Sequence, residues 1–252
     1  MAEYKSTFGT KVQNYTTNPD NPIEGQVWYN ETDNVLKYQI PNLLASWRTA
    51  NNLNTARGYT SITFGGSPGV SATPQLANTE SYDGTTFSEV NDLNSARAVL
   101  ASAGTSTAGL AFGGTIFPAA PNGPVGFTET WNGSSWTEVA DLNSVRQALA
   151  GAGTTNTEAL AYGGEGPAVP QAAVTEQWNG SSWTEVADLN SGRRGIAGSG
   201  VYTAAIAVAG IDGSSRRAFV ESWNGSAWTE VADLNTARGS GGNSGDNTAS
   251  VF

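Results

Sequence analysis

The sequence predicts an all-β fold, a β-propeller of five four-stranded blades closed by pairing of its N- and C-terminal segments. Three observations predict it. A unit of 40 to 49 residues recurs along the 252-residue chain. Each copy holds short apolar stretches separated by turn residues, and no window has helical periodicity. The repeat length is the one expected of propeller blades.

The clearest element is WNGSSWTEVADLN at 131–143, which returns unchanged at 178–190 and at 223–235 with Ala227 as the one difference. It belongs to a longer unit. The second aromatic of the hairpin is Trp47, Phe87, Trp136, Trp183 or Trp228, and ten residues later stands Arg57, Arg97, Arg146, Arg193 or Arg238. Each Arg closes an LNTAR, LNSAR, LNSVR or LNSGR corner, and the spacings between them are 40, 49, 47 and 45. An apolar small-residue stretch follows, as in AVLASAG (98–104), then a polar turn. Next comes a strand ending in TFGG (63–66), AFGG (111–114), AYGG (161–164) or the degenerate AVAG (207–210). After a variable loop, TESY, TETW, TEQW or VESW leads into the hairpin turn. Asn-Gly at 132–133, 179–180 and 224–225, and Asp-Gly at 83–84, tolerate the positive φ of a tight hairpin. One four-stranded sheet of this size cannot bury both faces. Stacking such sheets around an axis does, and closure leaves few free edges.

The pattern resembles the kelch repeat. The double glycine, the Tyr/Trp before a turn and second aromatic, and the Arg opening the next strand carry the resemblance, best seen in YDGTTFSEVNDLNSAR (82–97). It covers about residues 47–252. It implies a propeller, and such propellers serve as binding platforms, virion parts and, less often, enzymes.

The ends suggest how the ring closes. TASVF (248–252) stops the last unit at half a blade. QVWYNETDNVLKYQI (26–40) reads as two strands joined by Glu-Thr-Asp-Asn, able to pair with 239–252. Four full blades plus a separate hairpin is the alternative. The first unit is irregular: seven residues separate Arg57 from Phe64, against 14 to 16 elsewhere, too few for the usual inner strands. GQVWYNETDNVLKYQIPNLLASW (25–47) also resembles a small hairpin element near the N-termini of tailed-bacteriophage fibre and other virion proteins, with Trp28, Tyr29, Leu36, Tyr38 and Trp47 matching. Residues 1–24 are polar and rich in Thr, Asn and Pro, and read as an extended attachment arm. The domains expected are therefore this arm and a propeller over 25–252, comprising the hairpin element at 25–47 and kelch-like repeats over 48–252.

Composition narrows the chemistry. The net charge of −10 argues against nucleic acid, which needs clustered cations. There is no Cys and no His, so thiolate chemistry, the commonest metal ligand and the usual general base are missing. No Asp-x-Asp-x-Asp-Gly cluster occurs, and neither metal nor cofactor is expected. The N-terminus lacks the apolar core of a signal peptide, and no apolar run of about 18 residues suggests membrane insertion.

The repeated Arg57, Arg97, Arg146, Arg193 and Arg238 have two readings. They form an anion clamp, or they pair within the framework with Glu80, Glu129, Glu176 and Glu221 or with Asp92, Asp141, Asp188 and Asp233. The framework reading is preferred, because all recur at fixed positions. The same repetition argues against a glycosidase pair, which is normally unique. The aromatic pairs 131/136, 178/183 and 223/228 stack on sugars or pack between blades, and packing is preferred. The loops after Gly-Gly differ in every unit and should emerge with the LNxxR corners. A rigid scaffold with one face of diverged loops suits recognition, although drift in solvent would look the same. Phe117, Asn122, Gln171, Asp212, Arg216 and Arg217 are the candidate binding residues.

The resemblances imply a non-enzymatic virion structural protein of a tailed bacteriophage, made in the host cytoplasm: a tail-fibre or tail-tip appendage. Its partners would be other virion proteins through the arm, a host-surface glycan or protein through the loops, and further copies of itself. A cellular kelch-like adhesion or scaffold module and a propeller carbohydrate-active enzyme are the alternatives.

Overall fold

A computed structural model of the chain describes residues 13–15, 27–32, 35–38, 64–66, 75–82, 86–117, 123–167, 171–239, 244–245 and 250–251. These residues are all-β, with no helix among them. They fall into two units, Met1–Ala50 and Asn51–Phe252.

In the first unit, strands Val27–Asn30 and Val35–Tyr38 form the antiparallel hairpin expected from the sequence. Asn30 is buried, and its Oδ1 accepts the Thr32 amide at 3.0 Å to shape the turn. Gln13–Tyr15, within the segment read as an arm, adds a third strand parallel to Val27–Asn30.

The second unit is a series of small antiparallel sheets. Three have four strands each, hydrogen-bonded in chain order. The second sheet comprises Ala101–Gly104, Gly109–Phe112, Thr128–Trp131 and Trp136–Val139. The third comprises Ala150–Ala152, Ala159–Tyr162, Thr175–Trp178 and Trp183–Glu185. The fourth comprises Ala197–Val201, Ala204–Val208, Val220–Trp223 and Trp228–Glu230. The first sheet pairs Thr79–Tyr82 with Phe87–Val90, and Phe64 bridges to Thr79 from the other side. Ser244–Gly245 and Ser250–Val251 form a hairpin where the sequence begins a fifth unit. Arg57, the proposed fifth blade and the ring closure lie wholly or partly outside the described residues.

The first strands pack directly on one another. The Gly104 amide donates to the Gly153 carbonyl at 2.9 Å, and the Gly153 amide to Gly200 at 3.1 Å. Their Ala, Gly and Ser side chains permit this approach. Among the described residues three apolar clusters each span two consecutive sheets, and a smaller one around Val208, Ala209 and Val220 lies within the fourth. Phe112 meets Trp183 edge-on at 5.0 Å, Phe64 meets Trp136 at 4.8 Å, and Tyr162 meets Trp228 at 4.8 Å. Burying these rings and the surrounding Leu and Ala side chains joins sheets that could not stand alone.

The Gly-Gly pair serves the same junction. Gly113 has φ +67°, and a Cβ there would lie 2.7 Å from the Arg146 carbonyl. The Gly114 amide donates to that carbonyl at 3.0 Å. The degenerate AVAG keeps the conformation without the residue suited to it, with Ala209 at φ +58°. The chain also turns left-handed two residues after each described corner Arg up to the fourth sheet, at Val99, Ala148 and Gly195. Only the last is a glycine, so Val99 carries backbone strain.

Candidate functional site

The corner that leaves one sheet holds the next. Arg146 leaves the second sheet and enters the third, where its Nη2 reaches the Glu176 carboxylate at 2.7 Å. Its Nη1 donates to the Gly163 and Val174 carbonyls at 3.0 and 2.8 Å. Asn143 completes the grip. Its amide and Nδ2 both donate to the other Glu176 oxygen, at 2.7 and 2.9 Å, and Nδ2 also reaches the Trp183 carbonyl at 3.0 Å. Arg97 with Asn94 holds Glu129 in the same way, and Arg193 with Asn190 holds Glu221. All three ion pairs are buried, with side chains no more than 2% exposed. Burial pulls the Arg97 and Arg146 guanidinium pKa values down from the ordinary value, and the facing Glu129 and Glu176 push them back up.

A reciprocal bond runs the other way. The Trp136 indole N–H donates to Thr79 Oγ1, Trp183 to Thr128 Oγ1 and Trp228 to Thr175 Oγ1, each at 3.0 Å. The first Trp of each repeat turns inward, with Trp131, Trp178 and Trp223 donating to the carbonyls of Ser106, Asn156 and Tyr202. The repeated aspartates take a different role from the Arg partnership considered above. Asp141 and Asp188 accept the Thr128 and Thr175 amides at 3.2 and 3.1 Å and brace the hairpins. Arg97, Arg146 and Arg193 are thus internal joints and are closed to an anion from solvent. The same burial closes Glu129, Glu176 and Glu221 to a substrate. Arg238, at the fifth position, is exposed.

The diverged loops do leave from the corner end. Antiparallel bridges tie Ala98 to Thr115, Gln147 to Glu165 and Arg194 to Ile211. Phe117 is 53% exposed, and its amide donates to Gln75 Oε1 at 2.9 Å, linking the loops of the first and second sheets. Arg194 bonds Glu165 at 2.9 Å, and Gln147 reaches the same carboxylate at 2.8 Å, linking third to fourth. In the fourth loop, Ile211–Asp212 and Ser215–Arg216 form a small hairpin that leaves Arg216 exposed. Arg217 pairs with Asp212 at 2.7 Å and lies 5.5 Å from the Phe219 ring centre. Gln171 is partly buried, and Asn122 lies outside the described residues. The candidate residues are therefore spread over three loops, and only Asp212 and Arg217 are bonded to each other among those described.

Sequence reading missed three sets. Asn94, Asn143 and Asn190 were legible as part of LNxxR, but their carboxylate partners were not. Thr79, Thr128 and Thr175 looked like ordinary strand residues. The Gln147–Glu165–Arg194 link lies in residues that do not repeat. Among the described residues, no helix is long and apolar enough to cross a membrane, and no group of three metal-binding side chains occurs. A scan of protein-family models and a search of curated proteins found no match to this chain.

Proposed function

We propose that the chain is a non-enzymatic structural protein of a tailed-bacteriophage virion, a tail-fibre or tail-tip appendage built as a kelch-like β-propeller. The observation that carries the recognition role is the contrast between repeat and loop. Across the second to fourth sheets, the repeated Arg, Asn, Glu and Trp residues are engaged in joints between or within sheets. The loops at the corner end vary, and they expose Phe117 and Arg216. A scaffold held rigid by its repeats, with variation gathered at one end, suits recognition of a surface. The particle assignment rests on the resemblance of residues 25–47 to virion hairpin elements. In this reading the N-terminal segment attaches to the particle, and strands from 25–47 complete a fifth blade with residues 239–252. The corner loops then face a host-surface glycan or protein.

The test is copy number and position in purified particles, by quantitative mass spectrometry and imaging. Regular stoichiometric copies on the tail support the proposal, and absence from particles overturns it. Alanine at Phe117, Arg216 and Arg217 together should lower adsorption to host cells while leaving the melting temperature unchanged. Deleting residues 239–252 should sharply lower it, and an unchanged value would remove the ring-closure part.

A further inference from the structure

Repeated backbone bonds at the corners identify equivalent positions in the four sheets. The amides of Leu76, Val125, Ala172 and Arg217 donate to the carbonyls of Gly66, Gly114, Gly164 and Gly210. The carbonyls of the same four residues accept the amides of Arg97, Arg146, Arg193 and Arg238. Arg217 therefore stands where the other sheets place Leu76, Val125 and Ala172, and the last two of these are buried. The residue before it is Arg216, where the others have Gln75, Pro124 and Gln171. Beside it, the bridges Ala98–Thr115, Gln147–Glu165 and Arg194–Ile211 make Arg194 the equivalent of Ala98 and Gln147. Three positions that are neutral in every other described copy are thus arginine in the fourth sheet.

No Lys occurs after Lys37, and beyond residue 50 the cations are eight arginines. Arg97, Arg146 and Arg193 are buried in the joints, Arg57 lies outside the described residues, and Arg238 belongs to the fifth corner. The remaining three gather on one ribbon of the fourth sheet. Ile211 pairs with Arg194 on one side and with Arg216 on the other, so the three side chains share a face. Arg194 and Arg216 then stand two strands, about 10 Å, apart along the backbone, a spacing that lets two guanidinium groups meet at one oxyanion. Glu165 takes only Nη1 of Arg194, at 2.9 Å. Arg216 is exposed and has no carboxylate partner among the described residues. Arg217 lies on the opposite face, where Asp212 pairs with it at 2.7 Å. Three cations thus meet two carboxylates here, in a chain whose net charge is −10. The hairpin turn adds the exposed hydroxyls of Ser214 and Ser215.

We propose that Arg194 and Arg216 bind the oxyanion of an acidic glycan, a phosphate or carboxylate carried on a sugar, at the corner end of the fourth sheet. The planar guanidinium fork matches either oxyanion. The Ser214 and Ser215 hydroxyls both donate and accept, as sugar hydroxyls do. A protein interface centres on a desolvated anchor, and no large apolar side chain is exposed over residues 211–219. A glycan is therefore favoured over an acidic protein. This names the ligand class for the corner-loop recognition reading and rests on that reading, but not on the virion assignment. Sugar binding by the purified chain, adsorption to cells and particle copy number are separate measurements and can fail separately.

The test uses the full chain with glucose 1-phosphate, methyl glucuronide, neutral methyl glucoside and a hexaglutamate peptide, read by saturation-transfer NMR. At least one anionic sugar should bind saturably, with a dissociation constant of about millimolar order, and more weakly as salt is raised. Binding of glucose 1-phosphate alone identifies phosphate as the oxyanion, and binding of the glucuronide alone identifies carboxylate. Inorganic phosphate should displace either sugar only at higher concentration. Arg194→Gln and Arg216→Gln install the residue that the third sheet carries at each place, and an unaltered melting curve checks the fold. Each should weaken binding by about tenfold. Arg217→Ala, on the opposite face, should weaken it by less than about threefold, and Phe117→Ala should leave it unchanged. No saturable anionic sugar, equal binding of the neutral glucoside, tighter binding of the peptide or of inorganic phosphate, or unchanged affinity in the well-folded Arg216→Gln variant would each overturn the proposal.

Discussion

Glu176→Leu removes the acceptor at the centre of the second-to-third joint. Four donors lose this acceptor: Arg146 Nη2, the Asn143 amide and Nδ2, and the Ser144 amide at 3.3 Å, with Nδ2 keeping the Trp183 carbonyl. Adding four charge-assisted bonds would overstate the cost, because they share one carboxylate and water reaches exposed Asn143. The larger consequence is a buried guanidinium left without its counter-charge. Breaking such a pair from one side costs about 3–5 kcal/mol. For a chain of this size that corresponds to a drop of about 6–20 °C in melting temperature. Adding Arg146→Met removes the stranded charge, so the double variant should be more stable than Glu176→Leu alone by at least about 1 kcal/mol. Urea unfolding followed by tryptophan fluorescence measures both. Arg217→Ala is the control: its pair with Asp212 is more than a third exposed and should contribute less than about 1 kcal/mol. If Glu176→Leu costs no more than the control, or if the double variant costs the sum of its parts, the joint is not a coupled buried pair.

Three further outcomes follow from the same geometry. Burial pushes the Tyr162 phenol well above its ordinary pKa, partly opposed by Arg193, and its hydroxyl donates to the Ile206 carbonyl at 3.0 Å. The folded chain thus keeps a proton that the unfolded chain releases near pH ~10, so this contribution is intact below that pH. Above it, stability falls by about 1.4 kcal/mol per pH unit. Tyr162→Phe should flatten the alkaline limb of a pH–stability curve, and an identical slope would refute the assignment. Val99→Gly should raise stability by about 1 kcal/mol by relieving a β-branched residue at φ +57°, as Gly195 already does at φ +60° in the fourth sheet; a loss in urea unfolding would contradict this. Gly151→Ala places a methyl 2.5 Å from the Ser102 carbonyl and should cost about 1–3 kcal/mol, whereas Ser102→Gly should change stability by less than about 1 kcal/mol.

The strand content and the four-strand unit were legible because hairpin turns and alternating small and aromatic residues write themselves locally. WNGSSW identified the outer hairpin, and AFGG and AYGG marked the second strand's end. The ion-pair framework was half legible. Recurrence showed that Arg and acid belong together, but not which acid. Geometry decides for glutamate because Glu129, Glu176 and Glu221 face inward from the third strand, while the aspartates sit at the hairpin bases.

The identity of successive joints has a consequence for how such a chain changes length. Asn143 and Arg146 grip Glu176 with the same groups that Asn190 and Arg193 use on Glu221. Removing residues 144–190 would bring Asn143 directly before the Ser-Gly-Arg of the next corner, and Glu221 would meet an equivalent partner. Nothing in the Asn–Arg–Glu grip records which neighbour it holds; the Arg194–Glu165 pair does, because it occurs at the third-to-fourth seam and its residues do not repeat. Whole units can therefore be lost or gained by recombination between the near-identical copies with the grip at each seam preserved. During folding the same anonymity lets a corner capture the wrong sheet, a hazard that grows as the copies converge.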